Sequence, residues 1–164
     1  MYDPDALLGD DPRREFEQIL ARSCAARKCF AFMLINLDGF EGLMVRYGRA
    51  VGDLVIYEVS SRLRESLGQQ DMLERFSRSQ FAMLVMGVQR LESAEDLARE
   101  LIGRLESSIT VGGTRFRLTA SVGITLFPQH GKEWRDLLDN AEAAAHDAMT
   151  QGRGRISISF PAVH

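Results

Sequence analysis

Two polar residues close a long apolar run near the start of the chain. Asn36 and Asp38 follow "FAFMLI" two positions apart, so an extended backbone points both to one side. A carboxylate beside an amide oxygen could hold a hard divalent cation. The same pair could equally be an Asx turn or cap at a strand end. A second polar corner, Ser77-Arg78-Ser79-Gln80, lies between the apolar runs "DMLERF" and "QFAMLVM". Tight hairpin loops favour Gly, Asn or Asp, because their backbone takes positive φ. An arginine at that corner could attract an anion or a partner, or simply sit exposed. His130 and His146 have no acid or nucleophile pattern beside them and are expected as surface or core histidines. Met33, Met44, Met83 and Met86 suit core or patch filling. Cys24 and Cys29 have no second pair and no nearby histidine, which argues against zinc. They read as reduced thiols of a cytoplasmic chain.

These groups must be held by an alternation of helices and strands. Pro12 fits the first turn of a helix through "RREFEQILARS", with Phe16, Ile19 and Leu20 on one face. "FAFMLINL" is too short for a helix and suits a strand buried on both faces. A short helical piece follows over residues 40–47, with Gly48 as its stop. "AVGDLVIYEVSSRLRESL" has helical spacing at Val55, Val59 and Leu63. After the hairpin comes a helix in "ESAEDLARELIGRLESS", where Ser93 and Asp96 resemble a capping box. "ITVGGTRFRLTASVGITLF" reads as a hairpin turning at Gly112-Gly113 into one long strand ended by Phe127-Pro128. "KEWRDLLDNAEAAAHDAMTQG" is a helix closed by Gly152, and "RISISF" is a last strand. The order predicts an α/β (α+β) fold with a central mixed, largely antiparallel sheet flanked by helices.

Composition narrows the function. The 164 residues suit one domain with a real core, and the net charge of −3 offers no basic field for nucleic acid or anionic lipid. No run approaches a membrane span, and the acidic start, "MYDPDALLGDDPRREF", is unlike a signal peptide. The "PAVH" end is expected to border a linker within a longer, multidomain protein.

Five segments, in order, resemble the GGDEF family, the bacterial diguanylate cyclase module. "LLGDDPRREF" is similar to L-T-G-L-P-N-R-R-x-F. "INLDGFEGLMVRYGRAVGD" is similar to D-x-D-x-F-K-x-x-N-D-x-x-G-H-x-x-G-D. "RFSRSQF" stands where R-x-G-G-D-E-F belongs. "TASVGITLFP" is similar to T-x-S-x-G-I-A-x-F-P, and "AEAAAHDAMTQGRGRI" to A-D-x-A-L-Y-x-A-K-x-x-G-R-N-x-V. The resemblance covers residues 1–164 as a single domain and implies the GGDEF/nucleotide-cyclase-like fold. It also implies a reaction: two GTP molecules condense to cyclic di-GMP, one half-site per subunit, with metal ions stabilising charge.

The positions that would carry this chemistry depart from the family. Its leading metal carboxylate falls on Asn36; Asp38 remains. The signature glycines and acids fall on Ser77, Arg78, Ser79 and Gln80, with Phe81 kept. Glycine serves phosphate by letting backbone N–H groups approach closely. The phosphate-directed Lys falls on Glu41, the guanine-reading Asn on Met44, and the Lys of the last helix on Met149. Asp53 and Arg153 are kept. The inhibitory R-x-x-D falls on Gly68 and Asp71. The resemblance therefore implies a degenerate GGDEF domain without cofactor or bound metal. Such a domain is expected to be a regulatory or scaffold module in cyclic di-GMP signalling, contacting protein partners or a neighbouring EAL domain. The alternative is a GTP-binding allosteric domain that regulates a neighbouring phosphodiesterase domain; Asp53 could still read a guanine, and weak GTP binding is its expected mark. An active cyclase would need a carboxylate from elsewhere. Met44 and Met149 are expected to make the old nucleotide pocket less polar and better suited to a protein.

Overall fold

The computed structural model describes residues 12–152 and 156–158. Helix α1 (Pro12–Ala25) precedes strand β1 (Phe30–Asp38), which is buried along its whole length. Burial on both faces is what its unbroken apolar run requires. Phe30, Phe32 and Leu34 enter one core layer, while Ala31, Met33, Ile35 and Leu37 enter the other.

Helices α2 (Phe40–Tyr47) and α3 (Arg49–Glu65) follow, then the hairpin of β2 (Met72–Ser77) and β3 (Gln80–Met86). Helix α4 (Leu91–Glu106) leads to the small hairpin of β4 (Ile109–Val111) and β5 (Thr114–Phe116). Strand β6 (Thr119–Phe127), helix α5 (Trp134–Thr150) and strand β7 (Ile156–Ile158) complete the described chain. The main sheet has the order β2-β3-β1-β6-β7. Its first three pairings are antiparallel and β6–β7 is parallel, so the sheet is mixed and largely antiparallel, as the sequence predicts.

Helices cover both faces. Phe16 and Leu20 of α1 join Leu137, Leu138, Ala141 and Ala145 of α5 over one face. Val55, Val59 and Leu63 of α3 join Ala98, Leu101 and Leu105 of α4 over the other. Gly123 lets α5 lie directly on β6: a Cβ there would run into the carbonyl oxygen of Ala141 and the amide of Ala145. Among the described residues no helix is long and apolar enough to cross a membrane.

Two local expectations are corrected. Helix α4 begins at Leu91 behind Arg90, whose side chain makes no cap bond, so Ser93 lies inside the first turn rather than capping it. Asp96 pairs instead with Arg99 at 3.1 Å. The hairpin at Gly112-Gly113 does not run into one long strand. β4 and β5 form a separate two-stranded sheet, and β6 starts anew at Thr119. Buried Leu118 continues the apolar pattern across that break and hides it from the sequence. The expected last strand is described at Ile156–Ile158; the rest of it lies outside the described residues, as do Arg153 and the "PAVH" end.

Candidate functional site

The register of β1 assembles the polar positions at its C-terminal end. Asn36 lies opposite Gln80 of β3 and Ser121 of β6, and Asp38 lies opposite Thr119. Directly opposed residues share a face, so one face here gathers an amide from each of β1 and β3, two hydroxyls and one carboxylate. Asn36 and Asp38 do point the same way: the Asn36 amide donates to Asp38 Oδ1 at 3.3 Å. Thr119 donates to Asp38 Oδ2 at 2.8 Å, and Ser121 to Oδ1 at 2.9 Å. Asp38 is only 7% exposed. A buried carboxylate needs such donors to offset its lost hydration. The helix N-cap is Gly39, so Asp38 does not cap α2; its carboxylate works across the sheet. Thr119 and Ser121 were not singled out from sequence. Their signal was the i, i+2 hydroxyl pair in "TAS", uninterpretable without the register.

This donor set does not fit a magnesium ion. Mg²⁺ demands hard oxygen ligands in near-octahedral array, preferably anionic. Here a single carboxylate already accepts from Thr119, Ser121 and Asn36, and Gln80 opposite Asn36 is neutral. No group of three or more His, Cys, Asp or Glu side chains among the described residues is placed to hold a metal.

The signature segment is a β-hairpin, and its turn is solved differently from the expectation. Arg78 and Ser79 form the turn without positive φ. Such turns splay the strands unless extra twist is supplied. A bulge supplies it: Arg75 faces Phe81 and Ser77 faces Gln80, leaving Phe76 over. Phe76 packs edge-on against Phe16 at 5.4 Å. The Arg75 guanidinium clamps the turn, donating to the Ser77 carbonyl at 3.1 Å and the Arg78 carbonyl at 2.6 Å. Ser77 Oγ donates to Gln80 Oε1 at 3.3 Å, and the Leu37 amide to the Ser79 carbonyl at 2.7 Å. Arg78 is exposed, whereas Phe81 is core.

The nucleotide positions lie on α2, α3 and α5. Glu41 is exposed in the first turn of α2, where an acid complements the helix dipole. Met44 lies on the backbone of Gly52: a Cβ at Gly52 would sit 2.7 Å from Met44 Cγ. The Met44 side chain thus packs against the backbone at Gly52, and Asp53 next in sequence is half-buried. Met149 is 41% exposed near the end of α5.

At the inhibitory position, Asp71 is structural. Its Oδ2 accepts from the Gly68 amide at 2.7 Å and its Oδ1 from the Met86 amide at 2.9 Å, tying the α3–β2 loop to β3. His130 is a core histidine, its Nδ1 accepting from the Leu126 amide at 2.9 Å. Burial lowers its pKa from the ordinary 6.5. His146 is exposed on α5.

Known proteins share this fold. The sequence profile of "Diguanylate cyclase, GGDEF domain" matches residues 10–155. The bifunctional diguanylate cyclase/cyclic di-GMP phosphodiesterase MucR of Pseudomonas aeruginosa is 32% identical over 92% of this chain and 21% of its own length. The cyclic di-GMP phosphodiesterase NbdA of the same organism is 32% identical over 91% of this chain and 19% of its own. The chain thus spans about a fifth of these relatives. The crystal structure of the GGDEF domain of TpbB (YfiN) from P. aeruginosa superposes with a TM-score of 0.87 at 27% identity, covering 92% of this chain and 96% of that one. With a profile match over nearly its whole length, a shared fold and the same order of motifs, this chain belongs to the GGDEF family.

Proposed function

We propose that this chain is a catalytically silent GGDEF domain. It serves as a regulatory or scaffold module, contacting protein, within a larger cyclic di-GMP signalling protein and beside an EAL phosphodiesterase-type domain. The observation that carries this reading is the bonding of Asp38. The one acid at the metal position is held by Thr119, Ser121 and Asn36, with neutral Gln80 opposite Asn36. Met44 against Gly52 supports it from the base side. Val45, Leu54 and Tyr57, 88%, 56% and 69% exposed, offer apolar surface on α2 and α3 for a protein contact.

The test is a product assay with GTP and Mg²⁺ or Mn²⁺, together with calorimetric titration of GTP and cyclic di-GMP. No cyclic di-GMP, and no affinity tighter than about 1 mM for either nucleotide, is the expected result. A clear cyclic di-GMP product overturns the reading.

Asp53 favours one alternative, a GTP-binding allosteric domain, because it keeps partial exposure on α3. That role requires GTP to bind two states of a neighbouring domain unequally. Its mark is GTP binding that Asp53→Ala abolishes and that alters phosphodiesterase turnover in the full-length protein.

A further inference from the structure

The N-terminal end of β1 carries a second site, remote from Asn36 and Asp38. A cavity of about 440 Å³ opens there, lined by Cys24, Arg27, Cys29, Phe127, Pro128 and Lys132. Its volume lies in the range of small-molecule pockets. Its floor is apolar, with Phe127 stacked on Phe30 at 5.1 Å. Its charges are all of one sign: Arg27 and Lys132, from two separate loops, and no acidic side chain among the described lining residues. Burial pushes the Cys24 thiol up to about 11, so it lines the cavity as a neutral, weakly polar group.

Arg27 stands there at a conformational disadvantage. The α1 terminus is a Schellman motif: the Lys28 amide donates to the Ser23 carbonyl at 3.3 Å and the Arg27 amide to the Cys24 carbonyl at 3.0 Å. Its left-handed residue is normally glycine. Arg27 occupies it at φ 54°, the only non-glycine with positive φ among the described residues. Glycine would make the same helix stop with less strain, so the stop does not account for the arginine. Its side chain at the cavity does, since strained backbone is kept where a side chain is needed.

We propose that this cavity binds a small organic anion with an apolar body, its carboxylate held by Arg27 and Lys132 and its hydrocarbon lying on Phe127 and Pro128. Polar selection at one end and apolar burial at the other is the ordinary division of labour in such pockets. The proposal is independent of the state of the cyclase positions.

The probe is decanoate, with decanol and inorganic phosphate as controls, titrated by calorimetry and by amide chemical shifts. Decanoate is expected to bind with a Kd of about 1 mM or tighter, to shift the amides around Cys24, Cys29 and Phe127, and to slow alkylation of both thiols by N-ethylmaleimide. Decanol and phosphate are each expected to bind at least about tenfold more weakly. Arg27→Gly should raise the melting temperature and yet weaken decanoate several-fold, and Lys132→Ala should weaken it without changing the fold. A merely structural Arg27 predicts the rise in stability alone. The proposal is overturned if decanoate does not bind, if decanol or phosphate binds as well, if the shifts map elsewhere, or if Arg27→Gly leaves affinity unchanged.

Discussion

The two ends of β1 handle polar groups in opposite ways. At the C-terminal end, Asn36, Thr119 and Ser121 all donate to the buried Asp38 carboxylate from within the sheet. At the N-terminal end, Phe127, backed by Phe30, lines a cavity whose two cations have no acid among the described lining residues. The family's chemistry belongs to the first end, yet its groups there are mutually engaged. The second end has no part in the signature, yet it keeps an arginine in a conformation better suited to glycine. Polar groups bonded to one another stabilise a fold; a charge held in an unfavourable backbone points outward to something else.

The largest effect is expected where the two ends are joined. Gly123→Ala drives a methyl into the α5 backbone and should destabilise the domain by about 3 kcal/mol or more, read by urea denaturation. A loss near zero would mean that α5 is not held against β6 as described. Asp38→Ala should come next, at about 2–3 kcal/mol, because it leaves the Thr119 and Ser121 hydroxyls and the Asn36 amide without their acceptor. If the loss is below about 0.5 kcal/mol, these three donors do not stabilise the fold through Asp38. Arg27→Gly should act in the opposite direction, stabilising by about 1 kcal/mol as left-handed strain is relieved.

The smallest effect is a pH dependence at the N-terminal end. His130 sits just past β6, and burial lowers its pKa below the ordinary 6.5. The unfolded chain therefore takes up the proton more readily. The stabilisation from neutral His130 is fully present above about pH 6.5 and is lost as pH falls through the lower folded value, with at most one proton taken up. Histidine NMR titration with urea midpoints at pH 7.5 and 5.5 measures it. A midpoint that rises on acidification would contradict the buried, accepting imidazole.

Much of the frame was legible in the sequence. The apolar run of β1, the helical spacing of α3 and the paired runs of β2 and β3 each state their own conformation. The family was legible too, because five segments stand in its order. What escaped was long-range. Asp38 meets Ser121 across 83 residues of chain, and only the β1–β6 register reveals that meeting. The bulge at Phe76 escaped because it depends on where an aromatic ring finds its neighbours. Ser93 misled because a capping pattern one turn inside a helix looks the same as one at its start. The cavity gave no signal, since Arg27 and Lys132 are unremarkable until two loops bring them together.

The Arg75 clamp has a consequence for how this segment tolerates change. A turn fastened from beneath by one guanidinium does not depend on the identity of the residue at its tip. Substitution should be better tolerated at Arg78, where the clamp grips only the backbone carbonyl, than at Arg75, three positions away. The hairpin would then drift at its apex while holding its base, so that a signature erased at the tip leaves the strand pair beneath it intact.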